Sequence, residues 1–356
     1  MAGSHAKADG GFLGELRDAV SLRAAALVLG VLALQLGFVA SYVGAFHDPA
    51  PHRAPVAVVA PEELRDELVA DIEALPGDPV DVTTETDDVQ AARRQVEQRE
   101  TAGALVMDPA GGTDTLLVAG GGGTALAQAL EEVFTRVGRE QDRSLTVEDV
   151  VPADDGDARG LTSFYLVVGW CVGGYLCAAI LAMSYGARPA TTARAFARLG
   201  TLALYALAAG AGGAVVVGPV LGALPGGLLP LSALGALVVF AVGAATLALQ
   251  GIAGVVGIGL AIALVVVLGN PSAGGAFPGP LLPPFWRTIG PFLPPGAGTW
   301  ATRSLAYFDG AAVTGPLLVL GGWAVAGAVL AMLSAVVRSR RARKRARGGA
   351  RPHART

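Results

Sequence analysis

Six stretches without Asp, Glu or Lys, at residues 22–46, 162–186, 199–221, 229–249, 252–268 and 316–337, constrain this chain more than any other feature. About 20 apolar residues in a helix cross a hydrocarbon core of about 30 Å. In that medium every backbone polar group must be satisfied internally, which helices do within one segment. The 356-residue chain is 53% hydrophobic and 15% charged, against roughly 25% charged in soluble domains. The expected fold is an α-helical polytopic membrane protein with six transmembrane helices, one followed by five. The first run exceeds the roughly 7–15 apolar residues of a signal peptide and lacks a small-x-small cleavage site, so it reads as an uncleaved anchor.

Charge is sharply divided. Residues 48–161 carry 25 of the 29 acidic groups and nine Arg, whereas the last nineteen residues carry nine Lys/Arg and no acid. The connection at 187–198 holds Arg188, Arg194 and Arg198, again without an acid. Excess Lys/Arg marks the cytoplasmic side. The amphipathic segment 1–21, the loop 187–198 and the basic tail 338–356 are therefore expected inside. Residues 47–161 and 269–315 are expected outside. Ala-, Gly- and Arg-rich usage points to a GC-rich genome and a bacterial plasma membrane.

The large acidic segment has the pattern of a small domain. "APVAVVA", "PVDVTTET", "AGALVMD", "DTLLVAG" and "SLTVEDVV" read as strands. "PEELRDELVADIEALP", with Pro at its first position, "TDDVQAARRQVEQRE" and "TALAQALEEVFTRVGREQD" read as helices. The order β-α-β-α-β-β-α-β implies a sheet covered by helices, an extracytoplasmic α/β domain between the first and second spans.

Several chemistries are disfavoured. "AGGGGTALAQAL" sets glycines before a helix but has no Lys for a phosphate loop, and reads as a turn capped by Thr124. Cys171 and Cys177 lie on different faces of one apolar run and read as packing residues. The four His make no metal spacing, and no Ser/His/Asp or Cys/His set stands out, so no catalytic, cofactor or metal site is expected. The spans lack the acids and lysines that ion-coupled carriers keep. Small residues recur at helix-crossing spacing: Gly169 and Gly173, Gly218 and Gly222, then Gly251, Gly254 and Gly257. The basic tail reads first as a topology anchor, then as a contact for anionic lipid; nucleic acid is not an expected partner.

Residues 270–298 hold eight prolines and a single charge, Arg287. Proline forbids a long helix here, and the aromatics suit a membrane interface. The segment reads as a re-entrant or surface-lying loop that either roofs a path between helices or simply packs the bundle. Its residues Asn270, Pro271, Gly274, Gly275, Phe277 and Pro278 come first. Pro283, Phe285, Trp286, Pro291, Phe292, Pro294 and Arg303 follow. With the "PVAVV" strand, this series resembles ABC-2 type permease-like proteins, in particular the YhgE/Pip (phage infection protein) group. The resemblance implies a homo- or heterodimeric membrane subunit working with a separate ATPase, which Arg188, Arg194 and Arg198 would touch. The exported compound would be hydrophobic or lipid-linked. A second reading from the same group is a non-transporting envelope receptor or secretion-assembly factor acting through its outer domain.

Overall fold

The computed structural model describes residues 22–186 and 191–349. The amphipathic segment 1–21, Arg188 and the end of the basic tail lie outside them. The first helix, α1, is Leu22–Phe46. A five-stranded domain follows: β1 (Ala54–Val59), α2 (Glu62–Glu73), β2 (Val80–Thr86), α3 (Val89–Glu97), β3 (Gly103–Val106), β4 (Thr113–Val118), α4 (Thr124–Glu140) and β5 (Ser144–Asp149). Then come α5 (Thr162–Tyr185), α6 (Thr192–Val215), α7 (Leu228–Ala253), α8 (Val256–Ile262), α9 (Pro284–Ile289), α10 (Pro294–Tyr307) and α11 (Thr314–Gly349).

The element order of the domain is the one its sequence predicts. The sheet runs β2-β1-β3-β4-β5. It is mixed: β1 pairs parallel with β2 and β3, β3 antiparallel with β4, and β4 parallel with β5. Both faces are covered, so β1 is apolar without interruption. Val56 and Val58 pack with Ile72 and Phe134 on one face; Ala57 and Val59 pack with Ala92 and Val96 of α3 on the other. Two caps differ from expectation. Pro61 occupies the N-cap of α2 rather than its first turn. Gly123, at φ +135°, caps α4 while the Thr124 hydroxyl donates to Arg159 O at 3.1 Å.

The β3–β4 hairpin is pinned to the start of β5 by charge. Arg143 donates to both Asp114 oxygens, at 2.8 and 2.6 Å, and to Asp108 O at 2.7 Å. The two side chains are only 17% and 11% exposed. Arg143→Ala should therefore cost about 2 kcal/mol by leaving a mostly buried carboxylate unpaired. The loss should appear as a lower unfolding midpoint and faster amide exchange across residues 106–118.

Among the described residues five helices are long and apolar enough to cross a membrane: Ala24–Phe46, Thr162–Ser184, Thr192–Val220, Leu228–Ala253 and Thr314–Arg341. This is the pattern of a multi-pass membrane protein. α7 forms the hub. Fifteen of its residues between Leu231 and Gly251 are buried, with α5, α6 and α11 around it. Small residues allow the approach: a Cβ on Gly174 of α5 would come 2.7 Å from Val239 O, and one on Gly327 of α11 would come 2.5 Å from Ala245 N. Trp170 fills the space beside Gly213 and Gly235 and donates to Ala209 O at 3.2 Å.

The stretch expected as a single span at 252–268 is divided. α7 runs through Ala253, and Gly254 at φ +67° then turns the chain. α8 follows and continues as π-helical turns, Ala263–Gly269. Val256–Gly269 is a shorter apolar helix than the five spans; 14 residues rise only about 21 Å. α6 also begins earlier than expected. Thr191 accepts the Arg194 N–H as N-cap, so Arg194 and Arg198 belong to a helix and not to the loop predicted at 187–198.

Candidate functional site

The proline-rich segment returns into the bundle. Trp323 donates from Nε1 to Phe292 O at 2.8 Å. Trp323 lies nine residues beyond Thr314, so Phe292 sits about 14 Å below the start of α11. From there α10 climbs back. Pro294–Thr299 are buried, and a Cβ on Gly298 would meet Val167 of α5 and Val238 of α7. Tyr307, at the far end of α10, donates to Asp157 Oδ2 at 2.8 Å beneath the sheet domain.

Irregular backbone inside an apolar bundle needs its own partners, and the segment has them. Ser272 Oγ donates to Leu268 O at 2.7 Å, His52 N to Pro280 O at 2.8 Å, and Arg287 Nη1 to His52 O at 2.6 Å. Arg303 does the most. Only 3% exposed, it donates from Nη1 to Gly274 O (2.6 Å) and from Nη2 to Gly275 O (2.9 Å) and Gly160 O (3.0 Å). One guanidinium thus joins the start of the segment, its last helix and the strand-to-helix link.

The sheet domain reaches the same place through Arg99. The end of α3 is a Schellman turn: Glu100 N donates to Gln95 O and Arg99 N to Val96 O. The turn requires a left-handed residue, which is usually Gly, yet here it is Arg99 at φ +63°. Its side chain leaves the domain and lies on α10. The guanidinium carbon is 3.6 Å from the Trp300 ring centroid and 4.7 Å from that of Phe308. Nη1 donates to Ser304 Oγ at 2.8 Å and to Trp300 O at 3.0 Å. Burial, with the Arg303 charge second, lowers the Arg99 pKa to about 9, so it remains cationic at neutral pH.

Between these parts lies a cavity of about 590 Å³, bounded by Val96, Arg99 and Leu126 of the sheet domain, Phe292 and Trp300 of the returning segment, and Val319 of α11. Arg287 and Arg303 also line it, and among the described residues no Asp or Glu does. Among the described residues neither Arg99, Arg287 nor Arg303 has a carboxylate within ion-pair distance. Asp157 acts on Arg303 through space.

Of the residues singled out in sequence, Gly274, Pro278, Pro291, Phe292 and Arg303 meet at this cavity. Asn270 is buried near Tyr42. Pro271 is buried in the turn after it, and Gly275 packs on the Phe164 ring. Phe277 lies 5.6 Å from Phe46 of α1. Pro283 caps α9, where Phe285 and Trp286 meet edge to face at 5.0 Å, and Pro294 begins α10. These positions shape the segment more than they line the cavity. Arg194 and Arg198 stand apart from it, in the first turns of α6. Arg194 is exposed there, and Arg198 is 5% exposed and donates to Gly186 O at 2.6 Å. Arg99, Trp300 and Tyr307 were not anticipated: each sits in an ordinary helical context, and only the tertiary fold brings them together. Among the described residues no three His, Cys, Asp or Glu side chains gather as metal ligands. The chain matches no protein-family model, no curated protein and no solved structure.

Proposed function

We propose that this chain is the membrane subunit of an exporter for a hydrophobic or lipid-linked compound, driven by a separate ATPase in the manner of ABC-2 permeases. In this reading the returning segment and α8 together complete a sixth crossing in a bacterial plasma membrane, the sheet domain lies outside, and two such subunits pair. The observation that carries it is the cavity of about 590 Å³ where the returning segment meets the sheet domain. It lies at the end of a bundle whose spans hold no Asp, Glu or Lys. Apolar cargo can move past such walls without meeting a buried carboxylate or ammonium, and the cavity lies where cargo would leave. The opposite end of the bundle presents Arg194, exposed on the first turn of α6, as a contact for the ATPase.

Purification in mild detergent, with mass spectrometry of what accompanies the protein, tests this directly. A stoichiometric ATPase whose hydrolysis depends on this subunit is the expected result. Well-folded protein arriving alone would defeat the reading. With the ATPase in hand, Arg194→Glu should lower coupled hydrolysis about ten-fold through like-charge or lost-pair effects at the contact, with the unfolding midpoint unchanged. Arg198→Glu is no substitute, because it would also strip Gly186 O of its donor.

A further inference from the structure

We propose that the cavity between the sheet domain and the returning segment is a binding site for an anionic lipid, its phosphate head held by Arg99 and its chains running past Phe292 and Val319 toward the bilayer. The proposal deepens the exporter reading, and rests on it only for how the lipid reaches the site.

Charge complementarity is the first argument. Arg99, Arg287 and Arg303 line the cavity, and among the described residues no acid does. Asp157 offsets Arg303, which leaves two cations facing the space without a counter-charge. Uncompensated charge at a mostly apolar site is costly, and an anionic head supplies what the protein omits. Spare donors are the second argument. Among the described residues Arg99 uses only Nη1 in hydrogen bonds, so Nε and Nη2 remain as a fork of the kind that takes phosphate oxygens. Among the described residues Arg303 Nε and Thr101 Oγ1, both on residues of the wall, are also buried without a partner.

Arg99 is fixed from below by Trp300 and Phe308 and from behind by a left-handed turn that a non-glycine residue adopts at a cost. The guanidinium is preorganised before any ligand arrives. On the membrane side the wall becomes apolar, with Ala297, Pro316 and Val319, and Phe292 is 66% exposed. The size fits the head and upper chains of a lipid, since sites for ligands of that order run to roughly 300–1,000 Å³.

The test uses the full-length protein in an uncharged maltoside, titrated separately with dioleoyl phosphatidate, dioleoyl phosphatidylcholine and inorganic phosphate, with bound lipid counted by native mass spectrometry. Phosphatidate is expected to bind saturably at one per chain, with phosphatidylcholine and inorganic phosphate each weaker by about ten-fold or more. Arg99→Gln should weaken phosphatidate about ten-fold, and Arg99→Lys should recover part of the loss because it keeps the charge without the fork. Ala127→Phe narrows the cavity and keeps all three arginines in the sequence, and should weaken binding even if Arg99→Gln proves unstable. Arg53→Gln, at an exposed pair with Asp81, should bind as the parent does. Equal affinity for the two lipids would overturn the proposal, as would parent-like binding by Ala127→Phe, or competition by inorganic phosphate as strong as by lipid, which would mean a simple anion subsite. No ATPase enters the measurement. Lipid binding without an associated ATPase would leave this site standing and the exporter reading fallen; an ATPase without lipid binding would do the reverse.

Discussion

Arg303→Ala is expected to remove about 3–5 kcal/mol of stability. The side chain satisfies three carbonyls, Gly160, Gly274 and Gly275, on two separate pieces of chain. Buried carbonyls that lose a donor each cost roughly 1–3 kcal/mol, less when they can rearrange. Asp157, only 4% exposed, would lose the cation that acts on it, which adds the penalty of an uncompensated buried charge. Arg303→Lys should recover little, since one ammonium on a flexible stem cannot span three acceptors that a planar fork reaches. The measurement is the unfolding midpoint in detergent, with size-exclusion recovery as the second readout. A midpoint within a degree or two of the parent's would show that the three carbonyls find other donors, and would remove Arg303 from its place at the centre of the joint.

Gly290→Ala is expected to cost about 3 kcal/mol, although it adds a single methyl group. A Cβ at Gly290 would fall on Ser272 O, and Gly290 O is in turn what a Cβ on Gly296 would strike. Three strands of backbone are thus stacked without side chains between them, so no rotamer change can relieve the clash; overpacking of this kind costs about 1–3 kcal/mol, occasionally more. Gly322→Ala gives the contrast. It sits inside α11 with nothing within 4 Å of the added carbon, and alanine in a helix interior is favoured over glycine by about 1 kcal/mol. The first substitution should lower the unfolding midpoint and the second leave it unchanged or raise it. If both behaved alike, the closeness of the 270–296 backbone would not matter to stability.

The sheet domain was legible because its strands and helices announce themselves by separate periods: "APVAVV" is continuous and buried on both faces, while Val89–Glu97 puts Ala92 and Val96 on one side. The long spans were legible for the same reason, being uniformly apolar. What failed was punctuation. Gly251, Gly254 and Gly257 read equally well as a crossing surface, and no property of the one-dimensional pattern distinguishes that from a break; the structure uses Gly254 to turn the chain and Gly257 to lie on the backbone of Leu249 and Gln250. Arg194 and Arg198 made a helix start resemble a loop, although Thr191 was available as its cap. For the candidate site, the proline-rich half could be found because its composition is abnormal. Arg99 could not. It is an unremarkable charge at the end of a solvated helix, and its partner Trp300 is 201 residues away.

α11 is longer than its surroundings require. Its 36 residues extend about 54 Å, against a hydrocarbon core of about 30 Å. Arg338, 24 residues into the helix, donates to Gly251 O at the end of α7 and to Ser334 Oγ. The eleven residues beyond it form an overhang of about 16 Å, continuous with a rod that has already been clamped to the hub. The overhang is therefore tethered to the hub at a single guanidinium, Arg338, on the end of α7, whose other contacts include α10.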